Sequence, residues 1–564
     1  MKIVHICFFV LVSVTLMFSQ DINQAEVKVL EGFVPEIPES EKIKETTEFI
    51  DTTEIDKSQS YSFLNKTLDI PYKSRPLKSA KLSGEKISDL AGSKIFLGGG
   101  THSFISNISH NSLRKEDYSY GLTFNHFSNR FKVKYDNNSN TEVFRNSLTN
   151  INAFGKKIEE NNIFILNLDY DRRTSNYDGF CEVAHKDCNL NRFSYSKFGG
   201  SIFSRELSEY NLKHNTSFFV SDLNSRSENQ IHLKSNLSKK INSFPVDLEL
   251  EFNNYINYAN TDTLSLREKT DVKTFHIVPN VGIERFGYNF NIGAEIHLQQ
   301  ELDSMNTPGF APHLIVSKHL VKNILYVEGG LRHSEYRSTI KSLSDENPFI
   351  RALGTNQLHE PSGSSHSLSL DNTDVDEFFV GMTNVLGKGE VFEGSIAYGK
   401  ISNMPFFYWV DLNENGRFYS SYVDIYRLHA NANYEWKIND LININAAANF
   451  YNYDTIASNK ENINGKLGIS LNLDEKIKFN TALSYVGKRQ SLNAGEQDGD
   501  YFVDWDEVYE LNSQLHANIS INYYYTNSIA AYLRINNILN SKQELWQGYR
   551  EIGINAWFGL SYSF

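Results

Sequence analysis

Residues 511–523 read "LNSQLHANISINY". Leu511, Leu515, Ala517, Ile519, Ile521 and Tyr523 share one parity, and Asn512, Gln514, His516, Asn518, Ser520 and Asn522 take the other. A period of two puts alternate side chains on opposite faces of a β-strand, here one oily and one wet. The chain ends in the same way: in "WFGLSYSF" (557–564), Phe558, Leu560, Tyr562 and Phe564 alternate with Gly559, Ser561 and Ser563. A strand that finishes on the last residue must close something.

The pattern recurs upstream in "YRLHANANYEW" (426–436), "VDLELEF" (246–252) and "ININAAANF" (442–450). A soluble sandwich also alternates, but its strands usually run about five or six residues and its apolar face turns to a core. These runs reach about ten, the length of a strand crossing a bilayer at a tilt. Their second face carries Arg, Glu, His and Asn, which suits a hydrated lumen. The fold expected is all-β: a transmembrane antiparallel barrel closed by its C-terminal strand.

Bulk properties agree. Hydrophobic residues make up 40% of the 564, yet mean hydropathy is −0.43. A helical membrane bundle would need repeated apolar runs of about 20 residues, and none follows residue 20. A barrel is polar on average because every second residue faces its lumen. The formal charge of −13 argues against a nucleic-acid partner, which needs a basic face.

"MKIVHICFFVLVSVTLMFSQ" (1–20) has Lys2, an apolar stretch and a polar break at Ser19–Gln20, the layout of a secretory signal peptide. An uncleaved anchor is the alternative, and Cys7 comes too early for a lipoprotein box. Beyond it stand Cys181 and Cys188, in "CEVAHKDC". In an exported protein this pair reads as a loop disulfide; free thiols, or a weak metal site completed by His185, are the other readings. Residues 21–92 are rich in Glu and Thr, with Pro35 and Pro38, and alternate poorly. Such composition does not bury enough apolar surface to fold alone, so it is expected to be an extended segment, disordered or held by the barrel or a partner. The barrel is expected over 93–564.

Tight links at "LGKG" (386–389), "KIND" (437–440), "LDEK" (473–476) and "YYTN" (524–527) alternate with long ones at 339–374, 403–419, 455–462 and 488–508. Barrels of this kind keep short turns in the periplasm and long loops outside. About 21 strand candidates are found, and closure normally requires an even number. A strand missed near "SKIFLGGGTHSFISNIS", where glycines could bend the chain, brings the count to 22; the fallback is 20. Closure removes the sheet edge, which hydrocarbon does not tolerate. Phe558, Tyr562 and Phe564 are the candidate residues for closure and for the terminal signal read by outer-membrane assembly machinery.

"AAYLRINNILNSKQELWQGYREIGINAWFGLSYSF" (530–564) resembles the final hairpin of TonB-dependent receptors, with Asn536, Asn537, Ile538, Leu539 and Asn540 ahead of a closing strand that ends in Phe564. "DYSYGLTFNHFS" (117–128) and the segment before the long loop at "DENPFI" (345–350) resemble receptor-like barrels of some Gram-negative bacteria. The resemblance spans 93–564 and implies an integral barrel of the outer membrane. It departs at the N-terminus. The family carries a plug domain and a coupling motif, whereas residues 21–92 are too few and too weakly patterned for a plug and hold no coupling motif. Energised uptake is therefore not implied. A lumen of 22 strands needs filling, by long loops folding inward, by 21–92 or by a partner.

"DLNENG" (411–416) resembles the start of a calcium loop, with Asp411, Asn413 and Asn415 as oxygen donors and Gly416 as the turn, but Tyr422 stands where the bidentate Glu belongs. An outer Asn/Gly turn is the plainer reading. Glu496, Asp498, Asp500, Asp504, Asp506 and Glu507 form an acidic cluster, read first as a solvated loop. "MPFFYWV" (404–410) is assigned to the outer interfacial belt ahead of a ligand-stacking role. His429, His516 and Ser513 are the candidates for a hydrolytic site, yet nothing in the sequence brings them together and no G-x-S-x-G accompanies them. "GGG" (98–100) lacks the Lys and helix of a phosphate loop. No enzyme activity, cofactor or resident metal is expected.

Two function classes stand. One is a channel or uptake component for a solute chosen by the outer loops. The other is a non-transporting structural or assembly subunit that docks envelope proteins through 21–92 or the outer loops. Outer-membrane lipid is a partner in both.

Overall fold

In the computed structural model the described residues are 92–564 without 114–116, 135–140, 177–189, 206–211, 225–226, 243, 260–267, 302–303, 306–307, 351–369, 411–416, 474–475 and 498–499. Residues 1–20, nearly all of 21–92, the pair Cys181 and Cys188, and "DLNENG" lie outside them.

The chain forms a closed ring of 22 antiparallel strands. The ring closes where Ser93–Gly100 pairs with Asn555–Ser563, with Leu97 opposite Leu560 and Gly98 opposite Gly559. Ser93 N–H donates to the Phe564 carbonyl and Phe564 N–H to that of Ser93, each at 2.9 Å. The C-terminus therefore seals the sheet. The strand missing from the sequence count lies at the glycine run: Ser93–Gly100 and Ser103–Asn111 are two strands joined at Thr101–His102. Gly100 permits this, since a Cβ there would sit 2.3 Å from the Ala556 carbonyl oxygen.

The two walls separate by parity. Around the seam Leu97, Phe558, Leu560 and Tyr562 are 52–54% exposed, the arrangement of an apolar outer band. Trp557 and Ser561, on the alternate parity, are buried. The opening stretch is corrected at one end. Its barrel strand is Gln514–Tyr524, with Leu515 and Tyr523 outward, while Leu511 belongs to a hairpin outside the ring and is buried. Alternation cannot distinguish a wall strand from a hairpin strand that continues its parity. No helix among the described residues is long and apolar enough to cross a membrane.

Turns occupy one rim. Phe286 (φ 55) and Gly287 (φ 72) are both left-handed, as a two-residue hairpin requires. In "KIND" the Asn439 carboxamide oxygen accepts from Leu441 and Ile442 N–H, both at 2.9 Å. The opposite rim carries the long connections, and here sequence and structure differ. The segment 403–419 is not a loop: Glu390–Val410 and Arg417–Lys437, 21 residues each, stay paired up to Val410 and Arg417. Crossing takes about 9–11 residues, so these strands project well past the hydrocarbon. The segment 488–508 is a hairpin, Arg489–Gln497 with Asp500–Leu511, and 339–374 contains helix α1, Ile340–Glu346.

The projection also corrects the belt reading of "MPFFYWV". Phe406, Phe407, Tyr408 and Val410 are 0–8% exposed. Phe406, Tyr408 and Val410 are covered by the hairpin through Leu492, which runs parallel to Tyr408–Trp409. Phe407 packs the other way, into the mouth of the barrel.

Candidate functional site

An apolar cluster bridges the outer mouth. Phe131, Phe144, Phe193 and Leu223 from one side of the ring, and Phe407 and Phe418 from about half-way round it, converge on Ile340, Leu343, Phe349 and Ile350 of the long loop. Burial of each such side chain stabilises by about 1.5–3 kcal/mol. The 537–554 loop adds Trp546 and Tyr549 from a small hairpin. Phe418 meets Trp546 edge-on at 5.3 Å between centroids. Gly548 (φ 79) turns that hairpin beneath Trp409, whose ring a Cβ would meet at 3.1 Å.

Polar contacts tie the cap to the wall. Thr339 N-caps α1, its hydroxyl accepting from Ser342 N–H at 3.0 Å. The Glu228 carboxylate, on a wall strand, accepts from Ile340 N–H (2.6 Å) and Lys341 N–H (3.2 Å). Arg173 donates to the carbonyls of Ser344 and Asp345, both at 3.1 Å. Asn191 donates to those of Pro348 (3.0 Å) and Ile350 (2.7 Å). Lys460 reaches Glu346 from another outer loop. The backbone groups a loop would otherwise leave unpaired across the opening are thus taken up by the walls.

Beneath α1 lies a cavity of about 710 Å³ that reaches the inner wall. Its floor is an ionic clamp. Glu377, with 3% of its side chain exposed, accepts from Arg332 Nε (3.2 Å) and Nη2 (2.9 Å) on one oxygen and from Arg427 Nη2 (2.5 Å) on the other. Two guanidiniums on one carboxylate give the clamp itself a net positive charge, while Glu461 lines the same cavity. Tyr451 and Tyr453 line it too, with Tyr451 stacked on His429 at 4.5 Å.

A second polar group lies where two wall strands part. His276 Nδ1 is 2.9 Å from Glu295 Oε1, and His297 Nδ1 is 3.5 Å from Glu335 Oε2. The ligand atoms of His276, Glu295 and Glu335 lie within 4.8 Å of one another. The signal available in sequence was a pair of polar-parity motifs, Glu295-x-His297 and His333-x-Glu335, whose strands are brought together only by the ring.

The remaining sequence candidates disperse. Phe558, Tyr562 and Phe564 stand on the closing strand with exposed rings, Tyr562 stacked on Phe564 at 5.6 Å. Tyr422 accepts from Asp371 N–H at 2.9 Å. In the acidic segment Asp504 accepts from Asp506 and Glu507 N–H, and Glu507 accepts from Asn493; the side chains of Glu496, Asp498 and Asp500 lie outside the described residues. His429 and His516 take separate partners, Tyr451 and Glu551. Asn537 (φ 50), 2% exposed, organises the 537–554 loop: its amide donates to the carbonyls of Ser541 (2.7 Å) and Ile552 (2.9 Å), and its oxygen accepts from Ser541 N–H (3.0 Å).

A closed 22-strand barrel with short turns on one rim, long loops on the other and an apolar band is the architecture of a large barrel of the Gram-negative outer membrane. More narrowly, it is the barrel fold of the TonB-dependent receptors. The FrpB iron transporter from Neisseria meningitidis is similar at TM-score 0.61 with 8% identity, over 85% of this chain and 82% of that one. The copper transporter OprC is similar at 0.58 with 11% identity, over 84% and 80%. The ferric-catecholate import receptor Fiu from E. coli K12 is similar at 0.56 with 10% identity, over 84% and 82%. No family model and no curated sequence matches the chain.

Proposed function

We propose that the protein is a gated uptake barrel of the outer membrane, held shut at its outer mouth by its own loops, with the cavity beneath α1 as the place where a polar solute is first held. The observation that carries this reading is the cap. A subunit that only docks other proteins has no need to hold apolar side chains of one loop against both sides of its own mouth. The similar structures include an iron transporter, a copper transporter and an import receptor, which supports uptake as the class. The arginine–tyrosine lining suits a solute that carries negative charge or hydrogen-bonding aromatic rings. Phe558, Tyr562 and Phe564 serve closure and recognition by the assembly machinery.

The test is conductance in planar bilayers. The intact barrel is expected to be nearly silent, and excision of 340–350, joined by a short Gly/Ser linker, is expected to produce a large stable conductance. Silence of both, with envelope proteins co-purifying through the outer loops, would replace this reading with the assembly-subunit one.

A further inference from the structure

Among the described residues the ladder of the wall opens between two neighbouring strands. Gly309–Val321 and Leu325–Arg337 are neighbours, yet they pair only between Leu314/Leu331 and Val321/Leu325. Above that point residues 309–313 pair only with the strand Tyr288–Glu301, and 332–337 only with Asn372–Gly387. The His–Glu group spans this opening. His276, Glu295 and His297 approach from one side and Glu335 from the other.

Three features mark the group as a built site. Glu335 has 5% of its side chain exposed, and its Oε2, which faces His297, has no hydrogen-bond partner. Its Oε1 is held by the Asn372 amide, which also donates to Gln299 at 2.7 Å and whose oxygen accepts from Arg337 at 2.9 Å. The free oxygen is thereby aimed by a supporting shell, as metal-ligating carboxylates are. The second feature is Gly309: a Cβ there would lie 1.7 Å from His297 Nε2, so only glycine lets that ring cross its strand toward Glu335. The third is charge. Among the described residues the ion-pair contacts of Glu295 and Glu335 are with the imidazoles of His276 and His297, and neither carboxylate is paired with a Lys or Arg. Two enclosed carboxylates without a fixed cation are costly.

We propose that His276, Glu295 and Glu335, with His297 as the fourth donor after a ring rotation, bind one divalent transition cation that fastens the wall across this opening. Imidazole with carboxylate favours ions such as Zn²⁺ over Ca²⁺ or Mg²⁺, which want oxygen alone. The cation is a fixture of the wall, so the site stands whether or not the barrel conducts. Zinc bonds of about 2.0–2.2 Å would draw the donors closer than they lie now.

The experiment titrates Zn²⁺ alone into the full chain, purified in detergent and stripped with chelator, by calorimetry. Expected are about one equivalent bound, at least tenfold weaker binding in His276→Gln and in Glu335→Gln, and unchanged binding in His126→Gln. Each variant is first checked for the heat-modifiable gel mobility of a folded barrel. The wild-type chain also tests the idea without mutation. Bound Co²⁺ should give an intense tetrahedral visible spectrum, and Zn²⁺ should slow amide exchange at 309–313 and 332–337. A weak octahedral Co²⁺ spectrum, binding as tight in Glu335→Gln as in the wild type, or an equal preference for Ca²⁺ overturns the proposal.

Discussion

Phe349 and Tyr549 stack with ring centroids 3.6 Å apart and planes 16° from parallel, although one belongs to the loop after Arg337 and the other to the loop after Asn536. Their contact joins the two loops of the apolar cluster at the outer mouth. Phe349→Ala and Tyr549→Ala should each destabilise the cap by about 3–5 kcal/mol, the usual cost of deleting a buried ring. A double-mutant cycle should return a coupling of about 0.5–1.5 kcal/mol. Amide exchange at 340–350 is the readout, and unchanged protection there would show that the cap does not depend on this pair.

Glu551 predicts a pH dependence. It sits in the 537–554 loop, outside the membrane-spanning strands, and burial pushes its carboxyl from 4.5 up to about 7. A carboxyl raised by folding stabilises the docked loop fully below its unfolded value of about 4.5. That contribution is lost as pH rises through about 7. Protease cleavage within 541–554 should therefore increase over that interval. His516 Nδ1, 3.2 Å from Glu551 Oε2, is the titratable group facing it. Glu551→Gln should flatten the profile, and equal slopes in variant and wild type would reject the assignment.

Asn537→Ala should loosen the same loop by about 1–3 kcal/mol, because three side-chain hydrogen bonds disappear. The left-handed backbone at φ 50 adds to the cost for alanine. The barrel itself should keep its heat-modifiable mobility, while Trp546 fluorescence reports a more solvated ring. Fluorescence identical to wild type would mean that the loop is held elsewhere.

Phe564→Ala leaves the two backbone bonds with Ser93 available. The folded barrel should therefore remain as stable as wild type once formed, while the amount reaching the outer membrane falls severalfold if the exposed ring is what assembly machinery reads. Refolding into detergent separates the two effects. Poor refolding there would show the ring to be structural.

Much of the ring was legible from residue order. "YRLHANANYEW" and "VDLELEF" show both walls within a dozen residues, since parity is a local property of an extended chain. Glycines at 98–100 marked the bend that completes the strand count. Misreadings cluster above the membrane, at Leu511 and at "MPFFYWV", where alternating strands continue past the lipid and find protein cover. Parity carries no record of where the bilayer ends.

Residue order alone therefore determined that this chain becomes a closed barrel with an oily outside and a wet inside, because that outcome follows from a two-residue period and the intolerance of hydrocarbon for an unpaired edge. Only the tertiary structure decided what bridges the mouth and what meets in the wall. Phe349 reaches Tyr549, and Glu335 reaches His297, through ring closure and loop reach, which place distant segments side by side without leaving any period in the sequence.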